Sequence, residues 1–294
     1  MRFIVGYTDT PAGRDALALG VRLARATGAR LDLVLVLSSE ERATIVPADP
    51  GYERYVRETA EGWLAEALGT VPDDVRAGSH VVYAESFADG VLDAARVLDA
   101  RLIVVGAARG GILGRFTLGS AANALLHAAT VPVALAPDGC RDTAGDAPIS
   151  RITCAVGTRP GAEALLGSAI GAARAAHLPL RLISLVALDQ PVDSQHRDAI
   201  VRAAAHATAV LERAAAGLPD DVEVTSEVVT GRRVEDAVSG LDWEPTEIAL
   251  VGSSRLAQPR QLFLGSTAAK MLRELPVPLV VVPRDAAVTI GDAS

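Results

Sequence analysis

The feature that most constrains this chain is that it is written twice. Pro11 to Leu17 reads PAGRDAL and Pro160 to Leu166 reads PGAEALL, 149 positions later. Ala24-Arg25-Ala26 recurs at the same spacing as Ala173-Arg174-Ala175. Val71 to Val75 (VPDDV) returns as Leu218 to Val222 (LPDDV) at a spacing of 147. Gly106, Leu118-Gly119-Ser120, Val131-Pro132 and Pro137 return at a spacing of 146 as Gly252, Leu264-Gly265-Ser266, Val277-Pro278 and Pro283. A register that drifts by so little over a whole domain describes a tandem duplication with small loop deletions. The chain of 294 residues is then two copies of one domain. The boundaries read as 1–137 and 151–284, with a linker over 138–150 and a tail over 285–294. The segment Pro137 to Ser150 is polar, rich in Pro and Gly and without periodicity, so it reads as a loop.

Each copy alternates short apolar runs with helical patterns. Phe3 to Tyr7 reads as a strand. Thr10-Pro11 then offers an N-cap followed by Pro at the first helical position. Ala16, Leu19, Gly20, Leu23 and Ala24 form one apolar helical face. Leu31 to Leu37, His80 to Ala84, Leu102 to Val105 and Val131 to Ala136 read as further strands, separated by helices. Near-continuous apolar strands alternating with helices predict a parallel sheet covered on both faces. Each copy is therefore expected to be a five-stranded, doubly wound α/β domain. Half of the residues are hydrophobic but only 3% are aromatic, so the core must be built from Ala, Val and Leu.

The formal net charge of −8 argues against a general electrostatic nucleic-acid binder. No run of 18 apolar residues suggests a membrane span, and Met1 to Thr10 lacks the features of a signal peptide. Two cysteines, Cys140 and Cys154, make neither a disulfide framework nor a zinc site. The expected setting is cytoplasmic, with no membrane, nucleic-acid or metal partner. The five histidines show no repeated metal-ligand spacing. Asp73-Asp74 and Asp220-Asp221 follow Pro and read as surface turns. No G-x-S-x-G elbow supports a serine nucleophile.

Ligands of open α/β sheets sit at the carboxyl ends of strands. The unusual loop there runs from Gly106 to Ser120, with five glycines and two arginines before a helix start. Glycines allow close backbone approach, and a helix start favours an anion. The lysine of a phosphate-binding P-loop is missing, and no G-x-G-x-x-G follows a strand.

The duplicated segment, following Leu102-Ile103-Val104-Val105-Gly106 and Ile248-Ala249-Leu250-Val251-Gly252, resembles the universal stress protein family, whose pattern is G-x2-G-x9-G-[ST]. The resemblance covers nearly the whole chain in two copies. It implies strand order 3-2-1-4-5 in a Rossmann-like fold, and in nucleotide-binding members an ATP site between the first and fourth strands. Gly106, Gly119 and Ser120 match in the first copy, and Gly252, Gly265 and Ser266 in the second. The second glycine of the pattern is replaced by Arg109 and Arg255. Those arginines either fill the old phosphate pocket or pair with a phosphate or carboxylate. The aspartate of nucleotide-binding members falls at Thr8 and Gly157. Asp9 is one residue late, and Thr158 holds the neighbouring place in the second copy.

The resemblance thus implies a tandem stress-response and regulatory protein with a degenerate adenine-nucleotide site. Two alternatives stay open: an ATP-binding member with slow hydrolysis, its site mainly in the first copy, and a ligand-free interaction module. The chain is expected to be no enzyme beyond a weak ATPase. An apolar fifth strand at a sheet edge needs cover. The two copies are expected to cover each other there, and a homodimer stays open.

Overall fold

The computed structural model describes residues 1–39, 50–107, 119–143, 147–157, 163–187, 194–219, 221–253 and 266–283. The first copy supplies β1 (Arg2–Gly6), α1 (Pro11–Thr27), β2 (Arg30–Ser38), α2 (Pro50–Gly69), β3 (Ala77–Ala84), α3 (Phe87–Val97), β4 (Leu102–Gly106), α4 (Ser120–Ala128) and β5 (Val133–Ala136). A one-turn helix, α5 (Cys140–Thr143), precedes the second copy. That copy supplies β6 (Ile152–Ala155), α6 (Glu163–Ala176), β7 (Leu180–Ala187), α7 (Ser194–Ala216), β8 (Val224–Gly231), α8 (Val234–Ser239), β9 (Ile248–Gly252), α9 (Ser266–Glu274) and β10 (Leu279–Val282).

The strands form one ten-stranded sheet in the order β3-β2-β1-β4-β5-β10-β9-β6-β7-β8. Each half has the order 3-2-1-4-5 and is parallel throughout. The halves meet where β5 and β10 pair antiparallel, with Ala134 opposite Val280. Strand alternation divides the core. One face carries Phe3, Val5, Leu31 and Leu33 under α1, α2, α6 and α7, and the other carries Ile4, Val34, Ile103 and Val105 under α3, α4, α8 and α9. Side chains of β5 and β10 go to both faces, so these edges are fully buried in the seam.

Local chemistry sets the elements. The Thr10 hydroxyl accepts from the Gly13 amide (3.2 Å) at the start of α1, with Pro11 in the first helical position. Gly28 ends α1 in the left-handed region at φ 67°. Its counterpart in the second copy is His177, which takes the same region at φ 51° without the glycine. Asp73, Asp74 and Asp221 of the duplicated Pro-Asp-Asp turns are exposed, as their sequence implies, and Asp220 lies outside the described residues. Arg25 pairs with Asp74 (2.6 Å) and its duplicate Arg174 with Asp221 (2.9 Å). The Arg25 guanidinium holds the Asp74 carboxyl below its ordinary range.

The reading of Pro137 to Ser150 as a loop is corrected in part. It contains α5, and Cys140 and Ile149 are buried in the core. The reason lies in α1. Asp15, fully buried, accepts from the amides of Gly139 (3.0 Å) and Arg141 (3.1 Å) and from Nη1 of Arg141 (3.0 Å). Arg22, also buried, donates through Nε to the Ala147 carbonyl (3.0 Å) and through Nη2 to the Thr246 carbonyl (2.9 Å). In the second copy these two positions are Ala164 and Gly171.

Candidate functional site

The carboxyl ends of β1 and β4, the order-reversal point of the first half, bring together Tyr7 to Gly13 and Gly106-Ala107. The backbone beyond β1 turns sharply: the Thr10 amide donates to the Thr8 carbonyl (2.8 Å), and the Arg14 amide to the Thr10 carbonyl (3.0 Å). A Cβ at Gly13 would collide with the backbone of Thr8, so this turn over the start of α1 requires glycine.

Gly106 is a site residue of the family pattern, expected to let a ligand approach. Its nearest neighbour is instead the backbone of α1: a Cβ there would overlap the carbonyl of Ala12. The glycine serves the docking of β4 against the first turn of α1. Among the described residues, a Cβ at its duplicate Gly252 would meet only the Leu165 side chain, at 3.6 Å; Gly161, which matches Ala12, lies outside them.

Thr8 is exposed, and its hydroxyl lies 2.9 Å from that of Thr10. Asp9 is part-buried and accepts from Nη2 of Arg14 at 2.6 Å. Asp9 therefore already holds a cation one turn into α1. Burial, followed by the Asp9 charge, raises the pKa of the neighbouring Tyr7 hydroxyl. Arg14 and the Thr10 hydroxyl escaped sequence reading as site groups. The signal for Arg14 was faint: a lone basic residue in the first turn of a helix whose start carries no acid.

Gly119 is the N-cap of α4 and has no side chain to accept from the first turn. Ser120, exposed, opens that helix. Backbone N–H groups at such an end, with the helix dipole, suit an anion. In the second half a Cβ at Gly157 would meet no described residue within 4 Å, and Ser266 opens α9. Arg109, Arg255, Gly265 and Thr158 lie outside the described residues, so their two readings rest on sequence alone. The carboxyl-end arrangement offers hydroxyls, backbone amides and one neutralised carboxylate. No group of three or more His, Cys, Asp or Glu among the described residues could hold a metal ion.

At the opposite, amino end of the strands each half buries an ionic network of reversed polarity. In the first, buried Asp32 accepts from Nε of Arg30 (3.3 Å) and lies 3.0 Å from Nε2 of His80. In the second, the matched residue is Arg181. It donates to Oε1 of buried Glu247 (2.7 Å) and to Thr153 (3.0 Å), and stacks over Trp243 at 5.1 Å. Arg151 completes the ligation of Glu247.

A family model described as the universal stress protein family matches residues 1–137 and again 148–283. Universal stress protein Rv2319c of Mycobacterium tuberculosis (strain H37Rv) is 29% identical over 299 residues, covering 96% of this chain and all of the relative. Universal stress protein Mb2346c of Mycobacterium bovis matches to the same degree. Among solved structures, a universal stress protein from Archaeoglobus fulgidus DSM 4304 superposes with a TM-score of 0.68 at 18% identity, covering 96% of this chain and 98% of that one. A functionally unknown protein, PA1789, from Pseudomonas aeruginosa PAO1 gives 0.56 at 18% identity, covering 99% and 94%. These likenesses extend over both halves of the fold. Among the described residues no helix is long and apolar enough to cross a membrane. The chain belongs to the universal stress protein family, carrying the family's domain twice in tandem.

Proposed function

We propose that this is a stress-response regulatory protein whose first half keeps a weakened adenine-nucleotide site and whose second half keeps less of one. The observation that carries the reading is the pair between Asp9 and Arg14 at 2.6 Å. The carboxylate nearest the family's aspartate position is committed to an internal cation, so a ribose or base gains little from it. Among the described residues, what remains for a nucleotide is the start of α4 at Gly119-Ser120, which suits a phosphate through backbone amides. Binding of this kind is weak.

The uncapped start of α4 favours one alternative, a true ATP-binding protein with slow hydrolysis. The two are separated by examining purified protein for retained nucleotide and following thermal unfolding with ATP and magnesium. Ligand at 100 times its dissociation constant stabilises by about 2.7 kcal/mol. Each kcal/mol moves the midpoint of a domain this size by roughly 2–4 °C. The weakened site predicts no retained nucleotide and a shift that appears only at millimolar ATP. A shift of several degrees at micromolar ATP establishes the alternative, and no shift at any concentration removes both.

A further inference from the structure

Away from the strand ends that carry the candidate site, a partly open cavity of about 40 Å³ lies at the seam between the two halves. It lies between α1 and α6, over the amino-terminal residues of β1, β4, β6 and β9. Its wall contains both members of four duplicated pairs: Phe3 and Ile152, Leu23 and Ala172, Thr27 and Ala176, and Leu102 and Ile248. The cavity therefore sits where the pseudo-twofold relation of the two copies brings equivalent side chains face to face. In the first three pairs the second copy has the smaller residue, while Leu102 and Ile248 are equal in size. Trimming one side of a self-matched interface leaves such a space when nothing refills it.

Its chemistry is one-sided. One water needs roughly 10–15 Å³, so the space suffices for water, but a buried water also needs two to four polar partners. The wall presents only apolar surface. Thr27 does not change this, because its hydroxyl donates to the Leu23 carbonyl at 2.7 Å, within its own helix. Phosphate, ribose and water all lack partners there, while a hydrocarbon group needs none.

We propose that the seam is a binding site for a small saturated hydrocarbon group, contributed by a free apolar molecule or by the end of an alkyl chain. The guest would touch α1 and α6 at once, so its binding would tighten the docking of the two halves. This site is independent of any nucleotide at the carboxyl ends of the strands.

The test uses the full chain labelled at its Ala, Leu and Ile methyl groups, observed by NMR under xenon pressure. Saturable shifts are expected at Ala172, Ala176, Leu23 and Ile152. Ala172→Leu, which restores the residue of the first copy, fills the space and should reduce those shifts at least tenfold. Ala176→Thr does the same on the other pair and serves if Ala172→Leu does not fold. Competition then separates the sources. Displacement of xenon by both n-pentane and decanoate assigns the site to alkyl chain ends, and displacement by pentane alone assigns it to free molecules. Shifts that do not saturate, or that are equal in wild type and the filled variant, overturn the proposal. Failure of both competitors to displace bound xenon overturns it as well.

Discussion

The guanidinium of Arg22 donates to the carbonyl of Thr246 at 2.9 Å, across 224 residues of chain. One buried cation on the first helix thus holds the second half directly and, through Ala147, the segment that leads into it. Its Nη1 is buried with no hydrogen-bond partner among the described residues, and burial lowers the pKa of the group against the opposing effect of Cys140. Arg22→Met keeps much of the packing volume but leaves two carbonyls without their donor. The expected cost is about 2–3 kcal/mol, read as a lower urea midpoint. A change below 0.5 kcal/mol, roughly the scale of a neutral surface substitution, would show that water replaces the contact.

Asp15 does for α5 what an N-cap does for a longer helix, from 124 residues away. It satisfies two backbone amides and one guanidinium nitrogen while fully buried. Asp15→Ala strands all three donors and should destabilise by roughly 2–4 kcal/mol. It should also make the segment 138–150 the first site cut by trypsin under native conditions. Unchanged cleavage kinetics there would mean that Asp15 does not hold the segment.

Gly106 meets the start of α1 too closely to carry a side chain. Gly106→Ala drives a Cβ into the Ala12 carbonyl, where only backbone movement relieves the overlap. The cost should be at least about 3 kcal/mol, at the upper end of overpacking. A loss below about 1 kcal/mol in chemical denaturation would show that α1 shifts to make room.

Gly119→Leu puts a side chain at the start of α4, and Gly265→Leu does so at the matched position of the second copy. Nucleotide binding centred on the first half predicts that the first change abolishes the ATP-dependent thermal shift and the second spares it. Equal loss from both would show that the two halves share the binding.

Both cysteines are buried, and burial is the leading cause of their raised pKa values: about 11 for Cys140, opposed by Arg22, and about 12 for Cys154. Their folded-state values exceed the ordinary thiol value of 9.0. The stability they contribute is therefore complete below pH 9 and is lost as pH rises through 11 to 12. A thiol reagent at pH 8 should leave the native chain unmodified and label two groups once it is denatured. Rapid native labelling would show that one thiol reaches solvent.

Much of this was legible in residues read one segment at a time. The Thr10-Pro11 cap, the apolar face of α1 and the strand runs are local patterns, set by helix and strand periods, and they appear where the sequence puts them. The site was legible only as a list of positions. Asp9 could be named as a stand-in for a missing aspartate, but its commitment to Arg14 depends on how the turn folds. Asp15 and Arg22 gave no site signal, because a buried charge on an apolar helix declares its role only through its partners. Those partners lie more than 120 residues away in the chain.

The sequence by itself determined that one α/β domain occurs twice, with a core of small aliphatic side chains and a shared glycine pattern in both copies. Tertiary structure decided what the copies do differently. It turned Asp32 and Arg181, matched positions, into opposite ends of reversed ion networks. It made Gly106 a contact for a helix. It gave Asp15 to a segment that exists only once, between the copies, and divided Arg22 between that segment and the second half. Hydrophobic periodicity is a property of neighbours along the chain and survives duplication intact. Close approach, charge pairing and cavities depend on atoms that only folding brings together, and there the two copies no longer face the same surroundings.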